Sequence, residues 1–349
     1  MTKLVLDVND RRPVWALPDW AVAEIRSALP DDWEFVSVTA ESEGTGDGST
    51  RVSPEVLAAL AGARVYIGYG IAPEILADGE KLEWVHTASA GVGKSLSPEM
   101  LESPVLFTNS AGIHGPPIAE TVLAMILHFG RGLDFAERGK AARTWHNEPF
   151  YDVAAPVREL AHSTVGILGL GGVGGEVAWR VRALGARVIG LKRRPSDAAG
   201  GDGGSSVDGV EVVYGAEGLA TLASESDYLI VTAPHTEDTR GIVSREVLAL
   251  MKSDAVLINV SRGALIDEAA LVESLRAGRL RGAGLDVFAV EPLPEDHDLW
   301  DLPNVVITPH VSPVTRRFWR REVDLIVENI DRFLSGRPLR NLVDKQAGY

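Results

Sequence analysis

The stretch TVGILGLGGVGGEVAWRVRALGARVIGLKRR, residues 164–194, constrains the fold more than any other part of the chain. An apolar run is followed by Gly169-Leu-Gly171-Gly-Val-Gly174, a helix-like segment over 175–184, and a second apolar run over 187–192. A lone G-x-G-x-x-G is weak evidence. Placed between a strand and a helix, it predicts the βαβ turn that receives a dinucleotide pyrophosphate. Gly169 permits the tight turn, Gly171 lets the backbone approach the phosphates, and Gly174 lets the helix lie close to the strand. Gly172 and Val173 complete the loop, and the helix N-terminus offers unpaired N–H groups to the anion.

The rest of the chain repeats that rhythm. Short apolar runs at 4–8, 34–38, 64–68, 84–89 and 105–109 alternate with helix-like stretches, and a second series continues from 164 through 210–214, 228–233, 255–260, 283–288 and 305–308. Such alternation predicts an α/β protein with parallel sheets. The chain of 349 residues suits two domains, at about 150 residues each. The segment 117–132 has a helical pattern and joins the two series. A last long helix is expected over 313–334, with Phe318, Leu325, Ile326, Ile330 and Phe333 on its apolar side. Its arginines (Arg316, Arg317, Arg320, Arg321) read as a solvated or inter-element face. Two segments rich in Gly, Ser and Asp, 41–50 and 197–209, read as surface loops.

Composition narrows the function. Lys plus Arg is 34 against 49 for Asp plus Glu, a formal charge of −15, which argues against a nucleic-acid binder or a cationic membrane-surface protein. With no cysteine there is no disulfide, zinc ribbon, iron–sulfur cluster or thiol nucleophile. No apolar run reaches the ~18 residues of a membrane span, and the first residues do not read as a leader. The expectation is a soluble cytoplasmic protein.

The end of the second Rossmann strand sets the choice of dinucleotide. NAD sites place an acidic residue there for the ribose 2′-OH. This chain has Lys192, Arg193 and Arg194, which suit a 2′-phosphate, so NADP(H) is expected over NAD(H). A second glycine loop, ASAGVGKS over 88–95, nearly matches a nucleotide-triphosphate P-loop. However, Ala88 replaces the first glycine and Pro98 interrupts the helix such a loop needs. It reads better as a tight loop whose backbone N–H groups bind a small anion.

Three polar residues lie just past the ends of late strands, where open α/β sheets bind ligands: Arg262 in NVSRGALIDE, Glu291 in DVFAVEPLP and His310 in ITPHVS. Each alone reads as a surface salt bridge, an exposed acid or a capped histidine. Together they fit hydride transfer between a nicotinamide and a 2-oxo acid. Arg262 would grip the carboxylate, His310 would act as acid/base, and Glu291 would orient the imidazole and favour its charged form.

These strings, with VTAPHTEDTRGIV, resemble the D-isomer-specific 2-hydroxyacid dehydrogenase family over nearly the whole chain. The resemblance implies catalytic roles for Arg262, Glu291 and His310. It implies cofactor contacts at Ala233, Pro234, Thr239, Val260 and Asp286, the last to the nicotinamide carboxamide. It implies that Ala90, Gly91 and Val92 bind the substrate carboxylate, which disposes of the P-loop reading. It also implies a discontinuous architecture: a flavodoxin-like substrate domain of 1–108 and 313–349, a Rossmann domain of 109–312 inserted into it, and an active site in the cleft. A homodimer through the Rossmann domain is implied, with an arm over 145–160 reaching across. Lys192 in place of the frequent acid is similar to the NADPH-using glyoxylate/hydroxypyruvate reductase branch. Gly93 and the Ser312-Pro313 pair depart from the family pattern and leave the substrate's side chain open. The competing reading is a dinucleotide-sensing, corepressor-like regulator without significant turnover.

Overall fold

A computed structural model describes residues 2–42, 51–151, 157–193 and 209–348. The loops expected at 41–50 and 197–209, part of the arm over 145–160, and Arg194 lie wholly or partly outside the described residues. The chain divides into two compact units, Met1–His114 with Val314–Tyr349, and Gly115–Pro313.

The first unit is built on five parallel strands: β1 (Thr2–Asp7), β2 (Trp33–Ser37), β3 (Ala63–Gly68), β4 (Trp84–Thr87) and β5 (Leu106–Asn109). Their order is β2-β1-β3-β4-β5, the flavodoxin-like doubly wound arrangement. Strand alternation divides the core into two layers. Leu4 and Leu6 face the layer that holds Phe318, Val323, Ile326 and Ile330 of the Phe318–Leu334 helix, whereas Val5 faces Val56, Leu60 and Ile75 on the other side.

A buried polar chain ties that last helix to the sheet. Trp84 Nε1–H donates to the Thr108 hydroxyl at 2.8 Å, and Thr108 Oγ1 lies 2.8 Å from His86 Nδ1. His86 Nε2 lies 3.0 Å from Glu322 Oε1, with both side chains fully buried. The expected helix over 313–334 begins later, at Phe318. The residues before it form a turn in which the Thr315 hydroxyl accepts from Arg317 N and the Thr315 carbonyl accepts from Phe318 N. Arg320 pairs with Glu24 and with Asp324, so one of the four arginines does join two elements.

The crossing between units falls at 114/115 rather than 108/109. Residues 109–110 are held inside the first unit. Asn109 N donates to the Asn341 carbonyl, and the Ser110 hydroxyl lies 3.0 Å from Glu322 Oε1.

The second unit has seven parallel strands: β6 (Thr164–Leu168), β7 (Arg187–Lys192), β8 (Glu211–Tyr214), β9 (Tyr228–Val231), β10 (Val256–Asn259), β11 (Gly282–Leu285) and β12 (Val305–Ile307). The order β12-β11-β10-β9-β6-β7-β8 is the Rossmann winding extended by one strand. Its switch point lies between β6 and β9, so the glycine loop after β6 opens where such sheets bind ligands. The central strands are apolar on both faces: Leu229 and Val231 of β9 join one core layer, Tyr228 and Ile230 the other. Among the described residues no helix is long and apolar enough to cross a membrane, and no group of three or more His, Asp or Glu could hold a metal ion.

Candidate active site

The glycine turn is shaped by close backbone contacts. Gly169 sits at φ +102°, and a Cβ there would lie 2.7 Å from the Ala233 backbone. A Cβ on Gly174 would lie 2.1 Å from the Gly169 carbonyl oxygen. Gly171 differs: a Cβ there would meet nothing within 4 Å, so the protein's own packing does not require this glycine. Gly171 begins the Gly172–Ala183 helix with no side-chain cap. Its first-turn N–H groups are therefore not satisfied by a capping side chain. Backbone room beside uncapped donors fits the pyrophosphate of a dinucleotide.

The neighbouring strand ends complete this edge. Lys192 closes β7 half-buried, and Arg193 follows it, exposed, 3.9 Å from the Asp238 carboxylate. After β9 come Ala233 and Pro234. The Thr239 hydroxyl donates to the Pro234 carbonyl at 2.7 Å and accepts from Thr236 N at 2.8 Å, fixing that loop. The Ser261 hydroxyl donates to the Ala233 carbonyl, which ties the end of β10 to the end of β9. Val260 is buried in the core below.

His310 follows β12 in a backbone conformation unusual for a non-glycine residue, φ +54°. Its neighbours over-determine it. Asp286, fully buried, follows β11. Its carbonyl accepts from His310 N at 2.8 Å. Its Oδ1 accepts from the Thr308 hydroxyl at 2.5 Å and from Val311 N at 3.0 Å, and its Oδ2 accepts from Ser312 N at 3.1 Å. One carboxylate thus grips both sides of the histidine, as strained residues at functional sites require.

The ring is held as firmly as the backbone. His310 Nδ1 lies 2.7 Å from Glu291 Oε2, and the other carboxylate oxygen of Glu291 accepts from Phe288 N at 3.0 Å. Burial pushes the Glu291 carboxyl up. The hydrogen bonds from His310 and Phe288 and the charges of His310 and Arg262 outweigh it, leaving the pKa below the usual carboxylate value. With Nδ1 turned to Glu291, Nε2 is the ring atom left to exchange a proton with a ligand.

Arg262 is brought into the same group. It lies one residue past Ser261 in extended backbone, and the Asn259 side-chain amide donates to its carbonyl at 2.9 Å. The next residue, Gly263, packs directly on the peptide joining Phe288 and Ala289: a Cβ there would sit 1.9 Å from the Phe288 carbonyl carbon. The structure therefore brings Arg262, Glu291 and His310 together at one edge of the seven-stranded sheet.

In the first unit, Ala90 is exposed, Gly91 half-buried and Val92 in the core after β4. The Asn109 side-chain amide donates to the Ala90 carbonyl at 2.8 Å. The P-loop resemblance ends here: the Ser95 hydroxyl accepts from Ile71 N at 3.0 Å, and only a short 3₁₀ turn, Gly93–Ser95, forms. Two features escape a reading of the sequence. The clamping carboxylate of Asp286 joins residues 22–26 positions apart. The need for Gly263 arises from a contact with a strand-end turn 25 positions away. The only hint of either is their place in the strings SRGALIDE and LDVF.

Comparison with known proteins places the chain among relatives of one family. Residues 123–312 match the family model for the D-isomer specific 2-hydroxyacid dehydrogenase, NAD binding domain. The glyoxylate/hydroxypyruvate reductase B of Yersinia enterocolitica is 34% identical over 302 residues, 84% of this chain and 87% of that protein. The enzyme of the same name from Pectobacterium carotovorum is 36% identical over 294 residues, 82% of this chain and 88% of that one. Among solved structures, a D-isomer specific 2-hydroxyacid dehydrogenase from Xanthobacter autotrophicus Py2 in complex with NADPH and MES aligns with a TM-score of 0.79 at 30% identity, covering 99% of both chains. The NADPH-dependent glyoxylate/hydroxypyruvate reductase of Sinorhizobium meliloti in complex with NADP and sulfate aligns with a TM-score of 0.76 at 27% identity, covering all of both chains.

Fold and site thus define an oxidoreductase that binds a nicotinamide dinucleotide. The chain belongs to the D-isomer-specific 2-hydroxyacid dehydrogenase family, in its glyoxylate/hydroxypyruvate reductase branch, and is an NAD(P)-dependent 2-hydroxyacid dehydrogenase.

The packing at Gly263 makes a direct prediction. Gly263→Ala places a methyl group inside the backbone of the 288–289 turn. It should cost about 3 kcal/mol, the upper end for overpacking, and lower Tm by several degrees. An unchanged Tm in thermal unfolding would contradict this contact.

Proposed function

We propose that this enzyme reduces a small 2-oxo acid, glyoxylate, hydroxypyruvate or a close analogue, to the D-2-hydroxy acid with NADPH as the preferred reductant. The observation that carries this reading is the Glu291–His310 pair at 2.7 Å, beside Arg262 at the end of the sheet. Arg262 binds the substrate carboxylate and helps polarise the ketone. A nicotinamide held at the glycine turn would supply the hydride. His310 donates its Nε2 proton to the carbonyl oxygen as negative charge grows there. Glu291 holds the ring by its Nδ1 and so turns Nε2 toward the substrate. In the oxidative direction His310 takes the proton back.

The uncapped helix start at Gly172, Val173 and Gly174, with Gly169 and Gly171 before it, is assigned to the pyrophosphate. Lys192, Arg193 and Arg194 are assigned to the 2′-phosphate. Two relatives of this fold are solved with NADPH or NADP, which supports that choice. Binding of the cofactor at Ala233, Pro234, Thr239, Val260 and Asp286, and of the substrate carboxylate at Ala90, Gly91 and Val92, rests on the family resemblance. The domain assignment follows: the Gly115–Pro313 unit for the coenzyme, the other for the substrate. The regulator reading is not favoured, because the named relatives are reductases.

We also propose a homodimer through the Gly115–Pro313 unit. Trp145 is 93% exposed and Tyr151 78%, with Leu133 also open, an apolar surface that invites a partner. A monomeric mass by light scattering would contradict it.

The activity test is consumption of reduced coenzyme with a panel of 2-oxo acids. NADPH should exceed NADH in kcat/KM by ~10-fold or more, the worth of one charge-assisted phosphate contact. His310→Ala should lower kcat by ~10²–10⁴-fold. No turnover across the panel, or near-normal turnover in that variant, would overturn the proposal.

A further inference from the structure

A second carboxylate–histidine pair stands behind the first. Glu268 is the first residue of the Glu268–Arg276 helix, next to Asp267, which caps that helix by accepting from Ala270 N. Glu268 Oε2 accepts from Ala289 N at 3.0 Å, and Glu268 Oε1 lies 3.2 Å from His297 Nε2. His297 Nδ1 accepts from Leu299 N at 3.2 Å. Because Nδ1 is an acceptor, a proton on this ring sits on Nε2 and is donated to Glu268. The outer carboxylate is therefore fixed from two sides, by a helix start that favours negative charge and by an oriented imidazole.

What it holds is the turn that carries Glu291. Successive N–H groups of this turn go to successive carboxylates: Phe288 N to Glu291 Oε1, and Ala289 N to Glu268 Oε2. Gly263, next to Arg262, packs on the peptide between those two residues. Displacing that peptide shifts Phe288, whose own N–H holds the carboxylate that orients His310, and presses on the turn that presents Arg262. No hydrogen bond or ion pair joins Glu268 or His297 to the His310–Glu291 pair itself.

We propose that Glu268 and His297 are positioning residues for the reaction, an outer brace that sets the 288–291 turn and through it the Glu291–His310 pair. The inference rests on the assignment of Glu291 and His310 made above. A displacement of the order of 1 Å in such a group is worth up to ~10²-fold in rate.

The test compares Glu268→Ala, Glu268→Gln and His297→Ala with the wild-type full chain. Glu268→Ala should lower kcat by ~10–100-fold, with the Kd for NADPH, measured by fluorescence titration, unchanged within about twofold. Glu268→Gln keeps an oxygen for Ala289 N and should recover most of kcat. His297→Ala should fall between them. Amide hydrogen exchange gives a readout independent of turnover: in Glu268→Ala, protection should drop at Ala289 and also at Phe288, whose own acceptor is untouched. Exchange that rises at Ala289 alone, an unchanged kcat, or equal losses in kcat and coenzyme binding would overturn the brace. If the wild type turns over no 2-oxo acid, the functional assignment fails, and the exchange pattern still decides whether Glu268 holds the turn.

Discussion

The site depends on one buried carboxylate. Asp286 accepts hydrogen bonds from residues on both sides of His310 and so holds a histidine where a glycine would ordinarily be preferred. A left-handed backbone at a bulky residue persists only when the surroundings leave no alternative. Here the alternative is to leave a buried carboxylate without donors, which is costly. The strain at His310 and the satisfaction of Asp286 are two sides of one arrangement. Glu291 then fixes the ring, the Phe288 N–H fixes Glu291, and Gly263, packed on the 288–289 peptide, brings Arg262 alongside.

The charge distribution follows the same logic of short range over long. The chain carries a net charge of −15, yet it belongs to a family that binds anionic ligands. The positive groups assigned to those anions are few and placed at strand ends: Lys192 closing β7, Arg193 after it, and Arg262 after β10. Uncapped N–H groups at Gly172, Val173 and Gly174 add attraction without formal charge. Diffuse surface charge is screened beyond about 10 Å in ordinary salt, so it does little to oppose contacts at hydrogen-bond distance.

The twelve strands among the described residues were legible in the sequence, because parallel strands covered on both faces write themselves as short apolar runs. The flavodoxin-like and Rossmann windings were implied by the family resemblance rather than by the strand pattern itself. The Glu291–His310 contact was expected from the chemistry, since an acid and a histidine past adjacent strand ends come within reach. Other features were not legible for a physical reason. The Asp286 clamp, the Gly263 packing and the contacts of Glu268 with Ala289 and His297 join groups 21–29 positions apart, and neither periodicity nor a motif encodes such pairings. The passage from the first unit lies at 114/115 because Asn109 and Ser110 bond back to Asn341 and Glu322, which a linear reading cannot see.

The most direct test of the account is the pH dependence of 2-oxo acid reduction in wild type and Glu291→Gln. Glu291 lies below the usual carboxylate value because it accepts from His310 and Phe288. Its favourable contribution is therefore complete above that range and lost as pH falls through its lowered pKa. The account predicts a wild-type kcat/KM whose acid limb lies below the usual carboxylate range, and a Glu291→Gln variant that is slower by ~10²-fold or more and lacks that limb. A Glu291→Gln enzyme with the same rate and the same acid limb as wild type would contradict it.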